Sequence, residues 1–159
     1  ASNGGIDATS PANYLNIWVV GNMGQILGYA TFPESSGLWN DGVVIAASYF
    51  GKTGASAPFN QGRTATHEVG HYLNLRHIWG DANCGNDLVT DTPTQTGPNY
   101  GKPSYPLYNT CGGVQRSVMF MNYMDYVDDA AMFMFSAGQK TRMQSVVASS
   151  GARSGLRLY

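Results

Sequence analysis

The chain contains three histidines, all within the eleven residues HEVGHYLNLRH at 67–77, and Glu68, one of its two glutamates, follows the first of them. Imidazole is the commonest metal ligand. His67 and His71 are four residues apart, so a helix would stack them on one face. Both could then reach one ion at a Zn–N distance of roughly 2.0–2.1 Å. Glu68 falls about 100° further round such a helix, close to the ion without pointing at it. A carboxylate placed there can hold and deprotonate a water. If the helix continued, His77 would lie about 15 Å along its axis from His67 and could not share the ion. The helix must therefore stop and the chain turn back. Asn74 is the expected stop, because Asn tolerates the left-handed conformation that ends many helices. The expected product is three neutral imidazoles (His67, His71, His77) on one zinc with a fourth position open, the pattern of catalytic zinc. The bland alternative is a helix with three half-buried histidines and no metal. Asp81 is the nearby carboxylate that could fill the fourth position and make the site structural.

These side chains need a helix, a sheet behind it and a chain that returns to the ion. The expected helix covers 65–74, with Thr64 as N-cap and Val69, Tyr72 and Leu73 facing the core. Three apolar, β-branched or aromatic stretches, 14–20, 25–32 and 42–50, read as strands. One of them could offer an edge to which an extended substrate chain adds. Residues 1–13 and the Gly-rich 51–63 read as loops. From Ile78 to Ser117 there is no helix or strand periodicity, and four of the seven prolines lie there. A loop of that length needs holding. Two staples are on offer. A Cys84–Cys111 bridge would be worth about 3.5 kcal/mol in the chain-entropy model; two free thiols are the alternative. A calcium ion could sit on Asp87, Asp91, Thr92 and free carbonyls of CGNDLVTDTP at 84–93, although turn chemistry without an ion would use the same residues. Residues 118–135 carry five of the seven methionines and read as core filler. Ser136 and Gln139 then make a capping box for a last helix, with Met143, Val146 and Val147 as its apolar stripe and Gly151 as its stop. Residues 152–159 carry no readable pattern.

At 159 residues the chain reads as a single domain able to build a core. The net charge of −1 gives no field to recruit nucleic acid or an anionic membrane surface. No apolar run reaches the length of a membrane span. Charged residues make up only 12% of the chain, and it holds 20 glycines and 10 tyrosines, a composition that suits a loop-rich secreted protein.

With these residues in view, the chain resembles the metzincin metallopeptidases, and within them the pappalysin family. HEVGHYLNLRH matches the zinc signature apart from Asn74, which stands where the family carries glycine. NYMDY at 122–126 resembles the Met-turn, DLVTDTP at 87–93 the D-x-V-x-D-T-P segment, and FSAGQKTRM at 135–143 the final helix. The resemblance implies an α+β, zincin-like fold: a twisted mixed sheet packed on the zinc-binding helix in 1–74, then an irregular C-terminal subdomain with a Met-turn and final helix in 75–159. It implies zinc on His67, His71 and His77, Glu68 as general base and acid, Met124 beneath the metal, and Tyr126 stabilising the oxyanion. It also implies calcium on Asp87 and Thr92 with carbonyls near Asn86 and Val89, a Cys84–Cys111 disulfide, and Asp128 and Asp129 lining a pocket for a basic residue after the scissile bond. The implied activity is secreted or cell-surface peptide-bond hydrolysis, with protein or peptide substrates. Ala131 falls where a second family disulfide would end. Only thirteen residues precede YLNIWVV, where the family carries another strand and a backing helix, so a companion N-terminal fragment or propeptide of the same precursor is an expected partner. The competing functions are a zinc-containing binding or adhesion module and a zinc amidase acting on non-peptide amides.

Overall fold

The computed structural model describes residues 5–156. Residues 5–13 are irregular, in keeping with the loop expected at 1–13, whose first four residues lie outside the described ones, as do 157–159 of the tail.

A three-stranded mixed sheet is built around β3 (Val43–Ala46), with β1 (Ile17–Val20) parallel on one side and β2 (Gly28–Ala30) antiparallel on the other. Val43 and Ile45 alternate onto one face and are fully buried against Val69 and Tyr72 of the helix that follows and Leu73 at its C-cap. The strands are shorter than the apolar stretches suggested. The side chain of Asn16 bonds to backbone groups of Thr9 and Tyr14 and closes off the chain before β1. A turn from Met23 to Ile26 precedes β2, and a 3-10 turn at Ala47–Tyr49 ends the run after β3.

The helix, α1, is Arg63–Tyr72. Thr64 is not its N-cap: it is buried inside the first turn, and Gly62, with φ +77°, holds the cap position. The amides of Gln61 and Arg63 are met instead by Asp129 Oδ2, at 2.7 and 3.1 Å. The other end follows the expectation. Asn74 is left-handed at φ +74°. The Leu75 amide reaches the Gly70 carbonyl and the Asn74 amide the His71 carbonyl, a Schellman closure.

The stretch expected to lack strands contains a hairpin, β4 (Tyr108–Cys111) and β5 (Val114–Ser117). Gly112 and Gly113 both have positive φ, as its two-residue turn requires. The Cys84–Cys111 disulfide ties this hairpin to the loop after His77. Two apolar clusters underlie the second half. One gathers Leu75, Ile78, Trp79 and Met124 with Met119, Phe135 and Met143; the other gathers Val118, Phe120, Val127, Ala131 and Met132. The last helix, α2 (Ala137–Val147), carries the expected Ser136–Gln139 capping box. It ends at Val147 with Ala148 extended, so Gly151 lies beyond the stop.

Candidate metal centre

The three imidazoles converge, and the partner of each Nδ1 fixes its tautomer. His67 Nδ1 lies 2.7 Å from the Tyr123 carbonyl, His71 Nδ1 2.8 Å from the Leu75 carbonyl, and His77 Nδ1 2.5 Å from the Asp81 carboxylate. These oxygens only accept, so each Nδ1–H donates, and a neutral ring held this way keeps its lone pair on Nε2. Burial, reinforced by the neighbouring imidazoles, lowers His67 to about 3 and His71 to about 4, which keeps both rings neutral. One ligand atom from each ring falls within a group spanning 4.8 Å, and the Nε2 atoms of His71 and His77 are 3.2 Å apart. Two lone pairs at that distance repel unless a cation sits between them. A tetrahedral zinc with bonds of roughly 2.05 Å sets its ligand nitrogens about 3.3 Å apart, so the donor set fits that ion.

Local folding explains the convergence. α1 stacks His67 over His71, with ring centroids 4.7 Å apart, and the Schellman turn sends the chain back so that His77 completes the group. Trp79 lies flat on His77 at 4.4 Å, and Phe32 leans on His71 at 5.3 Å. Glu68 is 7% exposed, and burial raises its carboxyl to about 7. Gly28 of β2 makes room for it: a Cβ there would stand 3.1 Å from Glu68 Cγ and 2.9 Å from the Val44 carbonyl. The Tyr126 hydroxyl donates to His77 Nε2 at 2.9 Å. Burial, then the charges of Glu68 and Asp81, push Tyr126 up to about 12, so it keeps its proton. Met124 is fully buried beside Gly70 and packs with Leu75, Ile78 and Trp79. The whole group lines a cleft of about 780 Å³ between the 25–30 segment and a wall that includes Tyr100, Asp125, Tyr126 and Asp129.

Of the remaining expected site residues, Asp81 and Asp129 also line this cleft and the others do not. Asp81 sits behind His77 on its Nδ1 side, outside the group of three converging ligands. In the 84–93 loop, Asp87 is buried and accepts from the Thr92 hydroxyl and the Val89 amide, while Asn86 accepts from the Leu88 amide and the Val89 carbonyl from Thr92. Asp91 turns away to α2, accepting from the Ser136 hydroxyl and the Gly138 amide. Asp129 lines the cleft while holding the start of α1; Asp128 is half-buried and is not among the cleft-lining residues.

Several residues around the site escaped the sequence reading. Asp125 is fully buried and accepts from the amide and side chain of Asn99, the side chain of Gln95 and the Tyr126 amide. It pins the segment carrying Tyr100 against Tyr126. Arg63 also lines the cleft, its guanidinium 5.3 Å from the Tyr123 ring centre. The only local signal for Asp125 was its place in NYMDY.

Comparison with known proteins gives a consistent picture. A family model described as pregnancy-associated plasma protein-A, a peptidase family, matches residues 6–148. An extracellular metalloprotease 1 of Coccidioides posadasii is 40% identical over 139 residues, covering 83% of this chain and 49% of that protein. An extracellular metalloprotease of Colletotrichum graminicola is 40% identical over 138 residues, covering 82% and 48%. The chain thus spans about half the length of these relatives. Mature mirolysin of Tannerella forsythia, solved in complex with a cleaved peptide, superposes with a TM-score of 0.92 at 47% identity, covering 99% of this chain and 62% of that one. A promirolysin mutant from the same organism gives 0.92 at 47% identity, covering 100% and 54%.

Proposed function

The chain belongs to the pappalysin peptidase family, and from that membership we propose that it is a secreted zinc metalloendopeptidase hydrolysing protein or peptide bonds, with Glu68 as general base. One observation carries the reading: three Nδ1–H groups are committed to acceptors, which leaves three Nε2 lone pairs facing one point beside a buried carboxylate. When bound, zinc supplies Lewis acidity, acidifying a water and polarising the scissile carbonyl. His67, His71 and His77 hold it. Glu68, raised to about 7, is matched to taking a proton from the attacking water near neutral pH and passing it to the leaving amine. Tyr126, held protonated, donates to the oxyanion as charge develops there. Met124 packs on the helix that carries His67 and His71, and β2, an edge strand among the described residues, lines the cleft where an extended substrate would add.

Secretion is supported by the names of the extracellular relatives and by the disulfide, which suits an oxidising compartment. Among the described residues no helix is long and apolar enough to cross a membrane. The cleft runs between the proposed subdomains 1–74 and 75–159, since both contribute to its lining. A propeptide or companion segment of the same precursor is supported by the outer edge of β1, which pairs with no other strand among the described residues and where Ile17 and Val19 are exposed, and by the likeness to promirolysin. A structural calcium at the 84–93 loop is supported by Asp87, a buried carboxylate whose pKa burial raises. Thr92 and the Asn86 and Val89 carbonyls stand beside it in the chain. Preference for a basic residue after the scissile bond is supported by Asp129 in the cleft wall, although Arg63 shares that wall.

The experiment is digestion of a mixed peptide library with and without a zinc chelator, by the parent and by Glu68→Ala. The expected outcome is chelator-sensitive cleavage by the parent and loss of cleavage in Glu68→Ala with zinc content retained. Near-normal cleavage by Glu68→Ala would remove the general-base assignment. A library showing no Lys or Arg enrichment after the cut would remove the basic preference.

A further inference from the structure

Among the three converging histidines, His77 is held differently. His67 and His71 are fixed by a helix, and their Nδ1 protons go to backbone carbonyls. His77 lies beyond the helix, on a turn, and its Nδ1 faces the carboxylate of Asp81 at 2.5 Å. That is the only hydrogen bond of the Asp81 side chain among the described residues, and the side chain is otherwise 57% exposed. Its aim comes from the backbone. Asp81 is left-handed at φ +59°, immediately after Gly80 at φ +64°. The Gly85 amide returns to the Ala82 carbonyl, and Cys84, also at positive φ, is bonded to Cys111. Gly85 runs so close that a Cβ on it would lie 2.6 Å from the Trp79 carbonyl. An aspartate in a sparsely populated conformation costs free energy, and here it delivers a carboxylate to the ring nitrogen opposite the ligand atom.

We infer that Asp81 is a positioning residue for the metal: it fixes the tautomer and ring orientation of His77 and strengthens that nitrogen as a ligand, without itself touching the ion. The inference rests on the zinc reading of the three histidines. A carboxylate is a stronger acceptor than a carbonyl, and it supports the ligand that lacks a helix. Trp79, stacked on the ring face, restricts the remaining rotation. Partners of this kind change metal affinity by about tenfold to a hundredfold when removed.

The test titrates the metal-free full chain with zinc against a chromophoric chelator for the parent, Asp81→Ala, Asp81→Asn and Asn83→Ala, and records the visible spectrum of each cobalt-loaded protein. Asn83 is exposed in the same loop and bonds to the Thr96 carbonyl rather than to a histidine. Asp81→Ala is expected to bind zinc about tenfold to a hundredfold more weakly with an altered cobalt spectrum. Asp81→Asn, which keeps an acceptor oxygen without the charge, is expected to fall between it and the parent. Asn83→Ala is expected to match the parent. If Asp81→Ala does not fold, Asp81→Asn decides alone. Parent-like affinity and spectrum in the Asp81 variants, or an equal loss in Asn83→Ala, would overturn the inference while leaving the metal site standing. A parent that takes up no zinc would overturn both.

Discussion

At the scale of single residues, glycines decide how near the metal site's neighbours can come. In the helix motif, a Cβ on Gly70 would overlap Met124 Sδ and stand 3.3 Å from its Cε. The thioether therefore packs directly on the α1 backbone between the two helical ligands. Met124 cannot retreat, because its amide donates to Asn122 Oδ1, and its carbonyl accepts from the Ile78 amide at the start of the returning chain. Gly70→Ala is expected to cost about 1–3 kcal/mol through overpacking, and Met124→Ala about 2–5 kcal/mol through the cavity it leaves. Because the two atoms occupy the same space, the double variant should lose distinctly less than the sum of the single ones. Urea midpoints of the four proteins measure this, and strictly additive losses would show that Met124 does not press on the helix. Glycine at this position was visible in HEVGH. Its reason was not, since the atom that excludes a side chain arrives from more than fifty residues away in sequence.

At the scale of elements, α1 is held at both ends by charges from the second half of the chain. Asp129 takes the amides of Gln61 and Arg63 at the N-terminus. At the C-terminus, Arg142 of α2 donates to the carbonyl and side chain of Asn74, and Arg153 donates to the Tyr72 carbonyl. An anion at the start and cations at the end match the helix dipole. Asp129→Ala should therefore cost about 1–2 kcal/mol of stability, read from urea unfolding with no substrate present. Unchanged stability would return Asp129 to a role in the pocket alone. This arrangement separates what was legible from what was not. Asn74 and the Ser136–Gln139 box were readable because a turn or cap signal acts within a few residues. Thr64 suggested a cap by the same local rule and failed, because a distant carboxylate supplied the acceptor and left Gly62 free to hold the position. The hairpin at 108–117 had a turn signal in Gly112–Gly113, but its strands are mostly exposed and polar, so no apolar alternation marked them. The three histidines were legible for the opposite reason: metal chemistry needs particular residue types at particular spacings, and a sequence displays both.

At the scale of the whole molecule, the C-terminal segment that carried no sequence signal contains a residue that joins distant parts of the described chain. Arg153 is 1% exposed and pairs with Asp41, which is 0% exposed, through Nη1 and Oδ2. Its guanidinium lies 3.5 Å from the Tyr72 ring centre and also donates to the carbonyls of Thr31 and Phe32, just past β2. Phe32 in turn leans on His71, so the tail braces the sheet side of the cleft. Removing one member of a buried pair strands the other, at a cost of about 3–5 kcal/mol, and Arg153→Ala is expected to lose that much at neutral pH. The pH dependence identifies the cause. Burial alone would raise the Asp41 carboxyl, but hydrogen bonds from Arg153, Thr31 and the Gly37 amide outweigh it and hold the group below its ordinary 3.8. A depressed folded-state value means that the stabilisation is fully present above 3.8 and is lost as pH falls through the folded value. In Arg153→Ala the burial is less opposed, the folded value rises, and protonating Asp41 relieves the stranded charge. The stability gap between parent and variant should therefore be widest near pH 7 and narrow steadily as the solution is acidified past pH 4. Urea unfolding of both proteins at a series of pH values measures that gap. A gap that stays constant with pH would mean that Arg153 acts through packing on Tyr72 and not through the charge of Asp41.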